Sequence, residues 1–139
     1  MLIRYTFKKA ERLKKRKLIE QLFAQGRSLS VFPFKAFCVF PSPSVQDSHY
    51  PAQVAFSVPG RYFRKATQRN RIKRLMREAY RLEKHRLYTY LLQKQMQLHW
   101  IIIYQGKEMP TFEEVRQKMQ ILINRVMQLE EGENHVHTP

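Results

Sequence analysis

Apolar positions at three- and four-residue steps predict two helices in the first part of the chain. The first covers 10–25 and is followed by Gly26, a residue that often ends a helix. The second pattern, 66–95, is the longest in the sequence and allows one break near 84–87. The apolar positions of the first helix are Leu13, Leu18, Ile19, Leu22 and Phe23.

Three segments rich in β-branched and aromatic residues predict strands. The first covers 28–40, and Pro33 within it favours an edge position or a bulge, because proline cannot donate a ladder hydrogen bond. The second, 53–58, alternates apolar and polar residues and ends at a Pro-Gly pair. The third, 98–104, is mostly apolar, so we expect it to be buried. Between the first two strands, 41–51 contains three prolines and is predicted to be a loop.

The last part of the chain opens with a helix signal and ends in a polar tail. Thr111 and Glu114 have the S/T-x-x-E spacing of a capping box, which predicts a third helix. Apolar residues recur along it at three- and four-residue intervals, which predicts a face packed on a core. They are Phe112, Val115, Met119, Leu122, Val126 and Leu129. Residues 132–139 are polar and are expected to be flexible. The order α-β-β-α-β-α, with no repeat or linker, predicts a single α+β domain over 1–131.

The distribution of charge indicates a class of function. The chain has 26 Lys and Arg against 11 Asp and Glu, a net charge of +15. Residues 1–98 hold 22 basic and 5 acidic residues, whereas 99–139 hold 4 and 6. Because such self-repulsion destabilises a small domain, this asymmetry predicts a binding face for a polyanion. The single cysteine, the lack of a secretory signal and the lack of a membrane-spanning run favour a cytoplasmic protein.

Basic residues concentrate on the predicted second helix and on the segment before it. Between Arg61 and Arg86 there are eleven basic residues and two acids, Glu78 and Glu83, which we expect to pair with nearby arginines. At about 100° per residue, one apolar stripe consists of Ile72, Leu75, Met76 and Ala79. The opposite side carries Asn70, Arg74, Arg77 and Arg81, with Lys73 and Lys84 beside them and Arg69 and Arg71 flanking the stripe. These charges repel one another unless phosphates lie against them. The pattern favours nucleic-acid binding and leaves open ribosomal proteins, DNA-binding helices and ribonucleoprotein subunits.

Other residues that could carry chemistry are weaker candidates. His135 and His137 form an H-x-H pair in the polar tail, and Cys38 is predicted to be a small buried residue of a strand. His85 and His99 lack carboxylate neighbours at metal-ligand spacing. The acids are few and scattered, so no pair of carboxylates is placed to hold two metal ions. We therefore predict no catalytic residue and no metal site on this chain.

The residue sequence of the basic helix indicates a protein family more specifically than its charge does. Residues 69–81, RNRIKRLMREAYR, resemble the RNR signature of the bacterial ribonuclease P protein family. The resemblance extends to 54–58, to 100–104, and to Arg12-Leu13-Lys14 with Phe23 and Gly26. It covers roughly residues 7–128, nearly the whole chain, in the order that the family requires.

This resemblance implies a compact α/β sandwich with a left-handed β-α-β crossover, against the usual handedness. It also implies the protein subunit of an endoribonuclease whose active site is RNA, which removes the 5′ leader of precursor tRNA. The implied partners are ribonuclease P RNA and precursor tRNA, without a membrane or a small-molecule substrate, and magnesium would act through the RNA. The residues expected to bind the catalytic RNA are Arg61, Arg64, Lys65, Arg69, Asn70, Arg71, Lys73, Arg74, Arg77 and Arg81.

The resemblance further implies a cleft between the first helix and the sheet that holds the single-stranded leader. The candidates for leader binding are Arg12, Leu13, Lys14, Phe23, Phe34 and Phe37. The chain departs from the family pattern in two places. Ile19 stands where many relatives have a second aromatic residue, and Arg64-Lys65-Ala66-Thr67-Gln68 stands where many have a glycine shortly before the motif. The loop before the helix is therefore more cationic in this chain.

Three rival functions are distinguishable from this one. A ribosomal or other structural RNA-binding protein would share the charge but would not prefer precursor over mature tRNA. A DNA-binding regulator would need a helix-turn-helix pair, and none is evident in the sequence. A nuclease in its own right would need more acidic residues than this chain offers.

Overall fold

The computed structural model describes residues 6–41 and 50–136, and only the backbone of 133–136. The elements in chain order are α1 (Arg16–Gln25), β1 (Arg27–Val31), β2 (Phe34–Val39), β3 (Ala52–Ser57), α2 (Ala66–Gln93), β4 (Leu98–Tyr104) and α3 (Phe112–Val136). The α+β class is confirmed, and so is the predicted order of helices and strands, except that the first predicted strand is divided in two. Most of the predicted loop 41–51 lies outside the described residues, as does His137 of the H-x-H pair.

The predicted strand 28–40 consists of two strands rather than one. Strands β1 and β2 form an antiparallel hairpin in which Val31 pairs with Phe34, so that Phe32 and Pro33 make the turn. The prediction of an edge position or a bulge for Pro33 is therefore wrong, because Pro33 lies in the turn between the two strands. A turn suits it because a turn residue donates no ladder hydrogen bond.

The four strands form one mixed sheet in the order β1-β2-β4-β3. Strand β3 runs parallel to β4, and the other pairs are antiparallel. Helix α2 connects the two parallel neighbours, which makes a β-α-β unit, and its left-handed crossover stays a prediction. Strand β4 lies between two neighbours and is buried along nearly its whole length, as its apolar run predicted.

Helices cover both faces of this sheet. On one face, Phe34 and Trp100 belong to the main core, which includes the apolar sides of α2 and α3. On the other face, Ile101 packs with Leu22 of α1, and Phe37 lies against the same cluster. Alternate residues of β2 and β4 thus enter different cores, which is why both faces of these strands are apolar.

Helix α1 begins at Arg16, six residues later than predicted. The preceding residues form a short 3-10 turn at Lys9–Glu11, after which Arg12 makes an isolated bridge with Val54 of β3. The backbone N–H of Leu13 donates to the carbonyl oxygen of Val54 at 2.9 Å. This hydrogen bond holds the segment extended along the edge of the sheet, and the segment cannot be helical at the same time.

The two long helices keep their predicted starts. Helix α2 runs without the break expected near 84–87 and ends before Gln95, whose φ of 55° turns the chain towards β4. At the start of α3, the backbone N–H of Glu114 donates to Oγ1 of Thr111 at 3.2 Å, as a capping residue requires. Helix α3 continues through Val136, into the segment predicted as a tail. Among the helices of the described residues, none combines the length and apolar character that a membrane span requires.

Candidate nucleic-acid interface

The apolar stripe predicted for α2 is the face that packs on the core. Ile72, Met76 and Ala79 are fully buried, and Leu75 is partly buried against them. On the opposite side, Asn70 and Arg74 are exposed, whereas the neighbouring Arg77 and Arg81 are partly buried. Packing of the stripe thus fixes which way the cations of α2 point.

Lys84 is a correction to the predicted cationic surface. Its side chain is buried, 1% exposed, and its ammonium group forms an ion pair with the carboxylate of Glu11. The hydroxyl of Tyr88 donates to Oε1 of the same carboxylate at 2.6 Å. Burial lowers the pKa of Lys84, and the neighbouring Glu11 carboxylate opposes that shift. Lys84 therefore anchors the N-terminal segment to α2 and does not face solvent.

The loop before α2 is held in shape by an arginine of the RNR motif. Nη1 of Arg69 donates to the carbonyl oxygens of Phe63 and Arg64, both at 2.8 Å. The predicted RNA-binding residues Arg61, Arg64 and Lys65 lie exposed on this loop. The first turn of α2 contains no acidic residue and no side-chain cap from Lys65. The positive end of the helix dipole therefore adds to these charges.

A cleft at the edge of β3 brings residues of the two predicted RNA-binding regions together. It has a volume of about 240 Å³, and its apolar lining includes Leu13. Cations of the N-terminal segment and of α2 line the same cleft and are Arg12, Lys14, Lys73 and Arg77. Partial burial and repulsion from Arg12 and Arg74 lower the pKa of Arg77. Four cations around an apolar floor suit an anion that carries a flat apolar group, as a nucleotide does.

The aromatic part of the predicted leader site lies on the α1 face of the sheet. Phe23 is 52% exposed, and its ring centroid is 5.2 Å from that of Phe37 on β2. The ammonium group of Lys35 lies 5.4 Å from the Phe37 ring centroid. Ile19 packs against the apolar cluster of Leu22 and Ile101, as Phe37 does. Because Ile19 is not aromatic, the aromatic pair is made between α1 and β2 and not within α1. Leu13 belongs to this cluster and connects it to the cleft.

Phe34 is a second correction, because it belongs to the core and not to the leader site. It is 1% exposed and packs against Tyr104 with ring centroids 6.1 Å apart. Phe34 and Phe37 are three positions apart on one strand, so their side chains point to opposite faces. A leader bound beside Phe37 therefore cannot touch Phe34.

The acids of α2 pair with arginines, as predicted, although the hydrogen-bonded partner of Glu83 is on α3 and not nearby in the sequence. Glu78 accepts a hydrogen bond from Nε of Arg81 at 3.1 Å, and Glu83 accepts one from Nε of Arg116 at 2.8 Å. Burial raises the pKa of Glu83, but hydrogen bonds from Arg116 and Gln120 outweigh it, so the pKa lies below its ordinary value. Among the side chains that the structure describes, those of 6–41 and 50–132, no three from His, Cys, Asp or Glu are grouped as a metal site would need.

A family model for ribonuclease P matches residues 7–127, nearly the whole of this chain. The chain belongs to the ribonuclease P protein family. Proteins of this family are RNA-binding components of a nuclease that processes tRNA.

Curated relatives and solved structures agree with this assignment. The ribonuclease P protein component of Porphyromonas gingivalis is 36% identical over 118 residues, which are 85% of this chain and 84% of the relative. That of Chlorobium phaeobacteroides is 34% identical over 128 residues, 87% and 88% of the two chains. The fold resembles the RNase P protein of Staphylococcus aureus, with a TM-score of 0.66 and 19% identity over 85% of this chain and 96% of that one. It also resembles the Thermotoga maritima protein, with a TM-score of 0.60 and 24% identity over 83% and 96%.

Sequence reasoning for this ribonuclease P family member missed three residues beside the candidate site. Phe7 and Phe56 line the cleft, and Lys35 lies over Phe37. Phe7 packs there against Phe56 and Tyr80, which are far from it in the chain, so no local pattern reveals its place. Lys35 alternates with buried neighbours on β2, and that alternation is the one signal that could have placed it on the α1 face.

Proposed function

We propose that this chain is the protein subunit of ribonuclease P and binds both the catalytic RNA and the 5′ leader of precursor tRNA. In doing so it promotes endonucleolytic removal of the leader, which gives the mature 5′ end. The observation that carries this proposal is the cleft in which Arg12 and Lys14 face Lys73 and Arg77. The leader residues and the RNR residues share one electropositive wall there, so one protein can contact both RNAs.

The outer side of α2 and the loop before it are proposed to bind the catalytic RNA. Their cations are exposed or partly exposed and lie away from the buried stripe, where phosphates can reach them. Arginine adds bidentate contacts to phosphate and stacking on bases, which lysine does not offer. The residues are Arg61, Arg64, Lys65, Arg69, Asn70, Arg71, Lys73, Arg74, Arg77 and Arg81, of which Arg69 also shapes the loop.

The leader is proposed to lie along the α1 face, from the cleft to the aromatic pair. Phe23 and Phe37 offer ring surface, and stacking of a base on an aromatic side chain contributes about 1–3 kcal/mol. Arg12 and Lys14 contact the leader phosphates, and Leu13 supports the floor beneath them. Stacking is tolerant of sequence, which suits a leader whose bases differ from one tRNA to the next.

Catalysis and magnesium are assigned to the RNA subunit. Hydrolysis of a phosphodiester needs an activated water and stabilised charge, which metal ions held by carboxylates or phosphates supply. On this chain, the carboxylates of Glu11, Glu78 and Glu83 are already engaged by Lys84, Arg81 and Arg116. The protein positions RNA and screens phosphate repulsion, and we place it in the cytoplasm, where precursor tRNA is processed.

The proposal is tested by comparing precursor and mature tRNA as ligands. Catalytic RNA is assembled with and without the purified chain, in calcium to prevent cleavage, and the dissociation constants for the two tRNAs are measured. The chain should tighten binding of the precursor and leave binding of the mature tRNA nearly unchanged. Equal tightening of both would point to a structural RNA-binding protein, and no binding to the catalytic RNA would end the proposal.

A further inference from the structure

Three loops meet around Tyr104 at the end of the sheet where α2 begins. Tyr104 is 4% exposed, and its ring packs against Phe34 next to the β1–β2 turn and against Phe63 of the loop before α2, with centroids 6.1 and 6.0 Å apart. Its hydroxyl donates to the carbonyl oxygen of Glu108 at 2.7 Å, which ties down the loop after β4. Each loop is therefore fixed from the inside by the same side chain.

Each of these loops also presents a large apolar side chain to solvent. Phe32 is 72% exposed, Tyr62 is 45% exposed and Met109 is 38% exposed. The β1–β2 turn and the loop after β4 are joined by the N–H of Gln105, which donates to the carbonyl oxygen of Pro33 at 2.7 Å. Core packing does not explain why Phe32 and Tyr62 point to solvent. The buried contacts beside them are made by Phe34 and Phe63, which pack against Tyr104. Exposed apolar residues grouped on fixed loops are typical of binding surfaces.

The charges around Tyr62 indicate the chemistry of the partner. The guanidinium of Arg61 and the ammonium of Lys107 lie 5.4 and 5.5 Å from the ring centroid of Tyr62. Glu108, next to Lys107, is the acid on the loop after β4. An exposed ring with two cations against it is a combination that binds unpaired nucleotides, through base stacking and phosphate contacts.

We propose that Phe32 and Tyr62 stack on unpaired bases of the ribonuclease P RNA while Arg61 and Lys107 contact the adjoining phosphates. This inference rests on the proposed function and extends the RNA-binding surface beyond the RNR helix. The catalytic RNA is the favoured occupant because Arg69 joins the loop of Tyr62 directly to α2. The leader site, in contrast, is built on the α1 face around Phe23 and Phe37.

The test measures binding of ribonuclease P RNA to Phe32→Leu, Tyr62→Leu and the double variant. Leucine keeps an apolar side chain but removes the ring, so each single change should weaken binding about 5- to 150-fold. The salt dependence should stay as in the wild type, because no phosphate contact is lost, whereas Lys107→Ala should flatten it by about one log–log unit. Tyr62→Trp should retain affinity, and its indole fluorescence should be quenched by the RNA against the constant background of buried Trp100. Ile121→Ala, an exposed apolar residue of α3, is the matched control and should bind normally.

The possible results separate this inference from the function on which it rests. If the wild type assembles and restores cleavage but both leucine variants bind the catalytic RNA equally well, the stacking surface is wrong and the proposed function stands. A loss of affinity for precursor tRNA with unchanged catalytic-RNA binding also overturns it, because the surface would then belong to the leader. If the wild type binds no ribonuclease P RNA, the proposed function itself fails. Circular dichroism and thermal unfolding of each variant confirm that an observed loss is not a loss of fold.

Discussion

Phe23 of helix α1 and Phe37 of strand β2 face each other with ring centroids 5.2 Å apart, yet Phe23 remains 52% exposed. Full burial of a phenylalanine side chain contributes about 1.5–3 kcal/mol relative to leaving it exposed, and this ring gains only part of that. The pair offers ring surface at a position where the proposed leader would pass. Its exposure is therefore better explained by binding than by stability.

Phe23→Ala should weaken binding of precursor tRNA to the holoenzyme by about 1–3 kcal/mol and leave mature tRNA binding unchanged. Phe34→Ala provides the contrast, because Phe34 is a core residue that is 1% exposed. Its truncation should lower the free energy of unfolding by about 3–5 kcal/mol. Titrations with both tRNAs and urea unfolding of both variants make the comparison. Equal losses for precursor and mature tRNA in Phe23→Ala would show that the ring has no role in leader binding.

The cations of α2 should govern RNA binding and have little effect on folding. Arg74→Ala and Arg77→Ala should each weaken assembly with the catalytic RNA and reduce the slope of log K against log salt by about one unit. Arg74 is exposed and Arg77 only partly buried, and charges at such positions contribute little to stability, so the unfolding midpoint should barely move. Arg125→Ala on α3, also exposed, is the matched control. Unchanged RNA affinity together with a lost fold would contradict this assignment.

The buried pair between Lys84 and Glu11 should be a determinant of stability. Lys84→Met leaves the fully buried carboxylate of Glu11 without its cation, which costs about 3–5 kcal/mol. Adding Glu11→Leu should recover part of the loss, since an apolar pair avoids the uncompensated charge. Urea unfolding of both variants gives the free energies. A single variant as stable as the wild type would mean that the N-terminal segment is not anchored in this way.

The ion pair of Glu83 with Arg116 should make part of the stability depend on pH. The pKa of Glu83 is lowered in the folded protein from its ordinary value of 4.5, so between the two values the unfolded chain binds more protons. The free energy of unfolding should therefore rise with pH across that window, and this contribution is lost as the pH falls through the folded-state pKa. Glu83→Gln should show a smaller slope below pH 4.5. An identical slope in both proteins would mean that Glu83 is not stabilised as a carboxylate.

Local patterns in the sequence were sufficient to predict the buried face of an element where its other face is polar. The stripe of Ile72, Met76 and Ala79 predicted which side of α2 is buried, and the Thr111 capping box predicted where α3 starts. For β2 the one such signal is Lys35, which by strand alternation shares a face with Phe37. The two rings themselves look alike in the sequence, because helices cover both faces of the sheet.

Long-range pairing is the other part that local patterns could not show. Lys84 has the same helical context as the exposed cations of α2, and it is buried by contacts with the N-terminal segment, chiefly the ion pair with Glu11, 73 residues away in the chain. A second long-range contact, the hydrogen bond from the backbone N–H of Leu13 to the carbonyl oxygen of Val54, keeps the residues around Arg12 out of helix α1. The prediction of a cationic surface on α2 is therefore wrong for Lys84, although the other cations of the helix are exposed or partly exposed.

The most direct test of the account is reconstituted cleavage of precursor tRNA at low magnesium. Three reactions are compared at the same ionic strength: ribonuclease P RNA alone, the purified chain alone, and the two together. The account predicts efficient 5′ cleavage only for the two together, slow cleavage by the RNA alone that recovers when magnesium is raised, and none by the chain at any magnesium concentration. Under single-turnover conditions at saturating protein and magnesium, Glu78→Ala and Glu108→Ala should cleave at the wild-type rate. Cleavage by the chain alone, or loss of the saturated rate in either variant without loss of assembly, would place the protein in the active site and contradict the account.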